Sequence, residues 1–364
     1  MNDIKANILR FEPDAGKRIL VVSDIHGNLP YFTGLLAKLH FGSGDELIIN
    51  GDFLEKGKRS LDTLRCIMEL SRAGNVHTVC GNCDGWASIF RTGGEHDRYV
   101  LGYIRQKKRG LLWDMLRSCG IDPFELSDLA ACKTALRQSF EAEWSFLTQL
   151  PHAIETENFV FAHAGMSRDK PLDEHSAREL NRRDRFMAEG SCFDKWVIVG
   201  HYPVVLYGEN RVCANPVINR EQRIISIDGG CVLKDDGQLN ALIIPDRSSE
   251  DFSFEYYDSF PERRVLTDQA GGERSYYIRW GDSRVQVLKR GEEFSRCRHV
   301  RTGYEMDILT KYLFTQDEFT DCNDCTDYVL PLGRGDTVSV VEECRNAYFV
   351  KHNGVSGWYY GELE

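Results

Sequence analysis

Six residues able to hold a metal ion each follow a short apolar run, and that placement constrains this chain more than any other feature. Asp24 and His26 come after Ile19 to Val22, and Asp52 comes after Glu46 to Asn50. Asn82 comes after Val76 to Cys80, His163 after Asn158 to Ala162, and His201 after Trp196 to Val199. Apolar, β-branched runs of this length, bounded by Gly or Ser, read as buried strands. Open α/β sheets place their ligands in the crevice outside the carboxyl ends of the strands. Taken singly, each residue has a simpler role. Asp24 can cap a helix, Asp52 and Asn82 can form turns, and the histidines can bond to main chain. Taken together, so many donors at strand ends point to one shared site. Nitrogen and oxygen donors of this mix suit Mn, Fe or Zn, and their number suits two ions sharing a carboxylate.

The runs between these points alternate with helical spacing. Leu29 to Leu39 has apolar residues on one face and Pro30 in its first turn, and Leu61 to Leu70 is similar. Strand, loop and helix recur three times, the pattern of a largely parallel sheet. From about residue 86 to 148 the rhythm breaks. Four helical patterns follow, over Tyr99 to Arg105, Leu111 to Arg117, Ser127 to Gln138 and Glu141 to Leu147, with Ser127 as an N-cap. This reads as a helical insertion, lying over the site or forming a structural subdomain. Strands resume, including Ile224 to Ile227 and Leu239 to Ile244. After about residue 247 only short alternating segments remain, such as Tyr276 to Trp280, Arg284 to Leu288 and Thr337 to Val341. The expected division is therefore an α/β domain over 1–246 and an all-β region over 247–364. Within the latter, Arg284 to Leu313 and Asp336 to Leu363 read as a degenerate repeat, which suggests units over about 270–315 and 327–364.

Composition excludes some classes. No run among the 364 residues approaches the ~18 apolar residues of a membrane span. Met1 to Arg18 has no apolar core of the signal-peptide kind. A net charge of −11 argues against general nucleic-acid binding, though it says little about one cleft. The 12 cysteines are scattered, several in apolar runs, as in a reduced cytoplasmic protein. Cys322 and Cys325 stand as a Cys-x-x-Cys pair without a second pair at zinc-finger spacing, which reads as two free thiols able to form a disulfide. Trp358, Tyr359 and Tyr360 either line a groove or fill a small core.

The series SDIHG, GDFLEKG, GNCD, HAG and GH, spread over Arg18 to Pro245, resembles the calcineurin-like metallophosphoesterase superfamily. It is closest to the phosphoprotein-phosphatase branch and to bacterial relatives that include diadenosine tetraphosphatases. The stretch from Asp327 on, with GDTVSVVEE and NGVSGW, resembles bacterial SH3-like domains, which in some families bind peptides or cell-wall fragments; a plain accessory or dimerising role is the first expectation, a peptide or protein ligand the second. The first resemblance implies a β-sandwich of mixed sheets flanked by helices, in place of one parallel sheet. It implies that Asp24, His26 and Asp52 hold a first divalent ion. Asp52 would bridge to a second, completed by Asn82, His163 and His201. Mn is the expected metal, with Fe, Zn and Ni as alternatives.

The resemblance further implies hydrolysis of a phosphorylated small molecule, nucleotide or phosphoprotein by a metal-bridging hydroxide. Serine/threonine phosphatase activity comes first. A nucleotide polyphosphate hydrolase or phosphodiesterase is the alternative, and a non-catalytic scaffold the third. LNRRDRF, from Leu180 to Phe186, resembles the family's Trp-x-Arg-x-x-Phe stretch, so Arg183 falls on the phosphate-binding arginine, with Asn181 in the tryptophan place. Two motifs depart from the family. Glu55 and Lys56 replace an Asp and an Arg, and Lys lacks the planar two-pronged contact. Cys83 replaces the histidine that protonates the leaving oxygen, and a thiol is a poorer acid for that task. Good leaving groups are therefore expected, with His96 as a substitute acid if it reaches the site.

Overall fold

The computed structural model describes residues 4–86, 97–316 and 318–364. They form two compact units. The first takes the described residues up to Pro203 with Pro216–Leu233 and Gly237–Asp258. The second takes Val204–Asn215, Lys234–Asp236 and Ser259–Glu364.

The first unit is built on β1 (Ile8–Arg10), β2 (Arg18–Val22), β3 (Asp45–Asn50), β4 (Val76–Val79), β5 (Ala153–Glu155), β6 (Phe159–Ala162) and β7 (Trp196–Val199). One sheet runs Ser253–Tyr257, Leu239–Ile244, β2, β3, β4. Here β2, β3 and β4 are parallel, and Leu239–Ile244 runs antiparallel to β2. The other runs β1, β5, β6, β7, Ile224–Ser226, Val217–Asn219. It too is mixed, since β5 and β6 are antiparallel while β6 and β7 are parallel. The three strands read from strand–helix alternation are parallel, and their antiparallel neighbours make the sheets mixed, as the family resemblance implies. Strands covered on both faces carry apolar residues throughout, so their composition does not record direction.

The two sheets share one core. Ile19, Val21, Ile48 and Val79 meet Phe159, Phe161, Ile198 and Ile225, all buried. On the other face, Leu20, Val22, Leu47 and Ile49 pack with Phe32 and Leu35 of α1 (Leu29–Lys38) and Leu64 and Ile67 of α2 (Ser60–Ser71). Each such side chain contributes roughly 1.5–3 kcal/mol by leaving water. The central strand β2 is therefore fixed from both sides, and the loop after it inherits that rigidity.

The insertion is helical among its described residues: α3 (Asp97–Lys107), α4 (Leu111–Ser118), α5 (Ala130–Ser139) and α6 (Glu141–Gln149). The expected N-cap Ser127 is corrected. Helix α5 starts at Ala130, whose N–H donates to Asp128 Oδ1 at 2.8 Å. His96 lies outside the described residues. The short α7 (Ala177–Asn181) opens on a capping box, in which Ser176 and Glu179 satisfy each other's main-chain N–H. It leads directly into Arg182 to Asp184.

The second unit has only strands and short 3₁₀ turns among its described residues. Val285–Lys289, Phe294–His299 and Glu305–Leu309 form an antiparallel meander. Thr337–Glu343, Tyr348–His352 and Val355–Tyr359 form another. The two V-x-V segments share a detail. The pairing slips just after Val287 in one meander and just after Val340 in the other. Trp358 and Tyr359 are buried and only Tyr360 is exposed. The Cys322 and Cys325 thiols are free and buried, with sulfurs 3.9 Å apart.

Candidate metal centre

The strand ends of the first unit are bent into an uncommon conformation. Asp24, His26, Asp52 and His201 have φ of 57°, 51°, 51° and 65°. Side chains other than glycine rarely adopt this left-handed region, at a cost of about 1–3 kcal/mol each. Main-chain bonds hold the bends in place. Asp24 N–H donates to Gly51 O at 3.0 Å, His26 N–H to Asp52 O at 2.9 Å and Gly57 N–H to His26 O at 2.7 Å. The loops after β2 and β3 are thereby zipped together, and Gly200 N–H to His163 O at 2.8 Å joins the ends of β6 and β7.

Two glycines explain their place before a donor residue. A Cβ on Gly81 would stand 2.2 Å from Asp52 Oδ1, and one on Gly200 would stand 2.1 Å from Asp24 Oδ2. The chain before Asn82 and before His201 presses directly on a carboxylate, so only glycine fits.

The six donors named from sequence converge. Asp24, Asp52 and His163 each bring a donor atom within 4.8 Å of the others, and so do His26, Asp52 and Cys83. Asp52 belongs to both groups. His163 Nδ1–H donates to Asn50 O at 3.0 Å, which leaves Nε2 facing Asp52 Oδ1 at 3.3 Å. His26 Nδ1 is turned to Leu54 O at 3.3 Å, and its Nε2 is buried without a hydrogen-bond partner. Asp24 Oδ1, 3.8 Å from that nitrogen, is likewise unpartnered. One end of the Asn82 amide lies 2.7 Å from His201 Nδ1 and 3.2 Å from His163 Nε2. Hydrogen bonding alone selects the amide nitrogen for that position; a cation between the rings selects the oxygen. Orphaned buried donors around a shared carboxylate are the surroundings a divalent ion satisfies, so these residues fit the metal that the chemistry requires.

Electrostatics agree. Burial, and then the neighbouring Asp228, push Asp24 well up. Burial and Asp52 push Asp84 up to about 8. Burial opposes a charge on Asp52, yet the adjacent His163 ring holds that carboxylate well below its usual range. Burial keeps His26 low, and burial with the nearby His163 lowers His201 to about 4. Burial opposes a charge on His163 too, but Asp52 raises it to about 10, so this ring is the charged partner of the crowded carboxylates while His26 and His201 are held low. Carboxylates crowded in this way are stabilised by bound cations.

The remaining named residues separate. Glu55 turns away from the crevice. Its carboxylate accepts the N–H of Leu111 at 2.8 Å and the hydroxyl of Tyr103 at 3.3 Å, tying the β3 loop to α4 and α3. Burial raises it to about 7. Lys56 is half-buried and has no hydrogen-bond or ion-pair partner among the described residues, and its charge reaches both His26 and Cys83. Arg183 is bound to Glu189 at 3.0 Å and lies over the Phe186 ring. Its neighbour Arg182 lines a cleft of about 220 Å³ together with Asn82, Asp184 and His201.

Several supporting residues escaped the sequence reading. Asp84 accepts the N–H groups of Asp52 at 2.7 Å, Gly81 at 2.8 Å and Leu54 at 3.1 Å, and so shapes two donor loops at once. Asp184 Oδ1 stands 3.2 Å from His201 Nε2, which directs Nδ1 inward. Asn50 donates across to Ile198 O at 3.0 Å, coupling the two sheets beneath the site. Only Asp84, inside the GNCD motif, offered a signal in the chain itself.

No curated protein is similar enough to the chain to count as a relative. Among solved structures, a putative diadenosine tetraphosphatase is 20% identical, covering 70% of this chain and all of its own (100%), at a TM-score of 0.45. A serine/threonine phosphatase from Saccharomyces cerevisiae is 11% identical, covering 70% and 84%, at 0.43. A metallophosphoesterase from Sphaerobacter thermophilus is 19% identical, covering 67% and 89%, at 0.37. The profile of the calcineurin-like phosphoesterase family matches residues 17–229, which is more than half of the chain. The protein belongs to the calcineurin-like phosphoesterase family and is a metal-dependent phosphoester hydrolase.

Proposed function

We propose that the chain is a dinuclear phosphoesterase in which Asp24, His26 and Asp52 hold one ion and Asp52, Asn82, His163 and His201 the other. The observation that carries this is Asp52, whose carboxylate lies among donor atoms of Asp24 and His163 and again among those of His26 and Cys83, so that residues of both sets share it. When bound, two such ions supply an activated water and neutralise the phosphoryl oxygens. Mn, Fe, Zn and Ni all suit the donor set.

The chain's own residues do the rest. Lys56, uncommitted and beside the centre, offers a cation to the phosphoryl group. Arg182 offers a second from the cleft wall, in place of the Arg183 named from sequence. Such cations act where charge develops in the transition state. Asp184 keeps the His201 ring oriented. Glu55 acts as an anchor for the insertion rather than as an acid.

Cys83 stands where an imidazolium would protonate a leaving alkoxide. That step is worth typically ~10²–10⁴-fold, so its loss matters least for leaving groups that need no proton. The chain is therefore read as a serine/threonine-phosphatase-like enzyme that is slow on alkyl phosphoesters. Cys83 also favours a second reading, hydrolysis of nucleotide polyphosphate anhydrides of the diadenosine tetraphosphate type. A panel of aryl phosphate, aryl diester, dinucleotide polyphosphate and phosphopeptide, assayed with each metal, separates the two. Failure of the purified protein to bind any of these metals at neutral pH overturns both. The C-terminal unit is read as an accessory SH3-like module for a peptide or protein ligand, and its free thiols suit a cytoplasmic setting.

A further inference from the structure

Cys83 belongs to the donor cluster itself. Its sulfur, a ring nitrogen of His26 and a carboxylate oxygen of Asp52 lie within 4.8 Å of one another. The free nitrogen of His26 is Nε2, fully buried and unpartnered, because Nδ1 is engaged with Leu54 O. Asp24 Oδ1 stands unpartnered beside it. The main chain holds Cys83 at this spot, since its N–H donates to Asp52 Oδ1 at 2.7 Å. The Asn82 amide is compatible with a cation at this place. When a cation selects the amide oxygen for the side facing His163 and His201, the amide nitrogen is left 3.2 Å from Cys83 Sγ, where it donates to sulfur. A sulfur grouped with a His26 ring nitrogen and an Asp52 oxygen, on a main chain fixed to that same carboxylate, is placed as a ligand.

We propose that Cys83 is a thiolate ligand of the first metal ion, beside Asp24, His26 and Asp52. This rests on the two-ion reading above. The binding step forms a sulfur–metal bond and releases the thiol proton to solvent, with no change of oxidation state. It makes the two halves of the centre unlike. The half with Asn82, His163 and His201 offers only nitrogen and oxygen. The half with Cys83 offers sulfur, which favours zinc, iron(II) or cobalt(II) over manganese.

Cobalt(II) substitution of the full chain tests this without reference to turnover. The wild type is expected to bind two cobalt ions and to show a near-ultraviolet sulfur-to-cobalt charge-transfer band. That band should vanish in Cys83→Ser and survive in Cys322→Ser/Cys325→Ser, whose thiol pair is the competing source. The zinc-over-manganese affinity ratio should fall roughly tenfold to a hundredfold in Cys83→Ser. Should Cys83→Ser fail to fold, Cys83→Asp keeps a charged ligand, and it too should lose the band. Two bound cobalt ions without a band, or a band unchanged in Cys83→Ser, overturns the thiolate and leaves the two-ion reading standing. A wild-type chain that binds no cobalt, zinc or manganese overturns the two-ion reading itself.

Discussion

The two compact units end their strands differently. In the first, six side chains at the donor loops are bent left-handed: Asp24, His26, Asp52, Glu55, Lys56 and His201. In the second, the described non-glycine residues bent this way are Glu318 and Asn353 alone. Asn353 with Gly354 forms the tight two-residue link between Tyr348–His352 and Val355–Tyr359, a place where such backbone matches the twist of the strands. In the second unit the Asn353 bend is turn chemistry that suits it. In the first unit His40, Lys108, Arg185, Arg223 and Val232 are bent too, but six of the eleven described positions cluster around buried carboxylates and imidazoles between two packed sheets. Backbone strain thus marks where the molecule gives up stability for a site.

Four measurements bear on that contrast. The largest effect is expected at Gly200→Ala, where the added methyl would meet Ser23 Oγ at 1.9 Å and Asp24 Oδ2 at 2.1 Å. Turnover should fall roughly a hundredfold or more, with loss of bound metal, because an ångström of misplacement carries that cost. Wild-type metal content and rate in this variant would show that the β7 end does not press on the centre.

Next is Glu55. Its folded value of about 7 lies above the ordinary 4.5, so the folded state holds a proton that the unfolded state releases between them. Its contribution to stability is greatest below about pH 4.5 and is lost as pH rises through about 7, a change on the order of 3 kcal/mol. Glu55→Gln can still accept from Leu111 and can donate to Tyr103. Melting at pH 5 should be nearly unchanged, and at pH 8 the variant should be the more stable. Equal melting at pH 8 would show that the carboxylate is ionised in the fold at no cost.

Arg182→Ala should lower kcat/KM about tenfold by removing a charged hydrogen bond to the phosphoryl group, with little change in melting. Arg183→Ala should instead lose its contacts to Glu189 and Phe186 and act mainly on stability. The reverse pattern would return the phosphate contact to Arg183. The smallest effect is in the second unit. Tyr359 donates its hydroxyl to Thr267 O at 2.8 Å inside a buried cluster. Tyr359→Phe should cost about 1 kcal/mol in a melt and leave metal content untouched. Loss of metal in that variant would erase the contrast between the units.

The chain by itself determined which residues could be donors. Short apolar runs locate buried strands, and the polar residue after each run must emerge at a strand end, so Asp24, His26, Asp52, Asn82, His163 and His201 stood out together as candidate donors, though none did so singly. The helices α1, α2 and α4 were legible, since amphipathic spacing is local. The meanders at Val285–Lys289 and Thr337–Glu343 were also legible, as period-two alternation. The alternation of strand and helix marked β2, β3 and β4 as parallel, whereas the antiparallel partners Leu239–Ile244 and β5 were fixed only by packing. Tertiary structure also decided which way a side chain turns once it leaves the strand. Glu55 and Lys56 are adjacent, yet one is drawn to Leu111 and Tyr103 and the other is left beside the centre. Arg182 and Arg183 divide in the same way between cleft and Glu189. Asp84 reaches beyond its own motif to the N–H groups of Asp52 and Leu54, and Asp184 gains its role through His201. Such choices depend on partners brought near by packing, and no spacing along the chain encodes them.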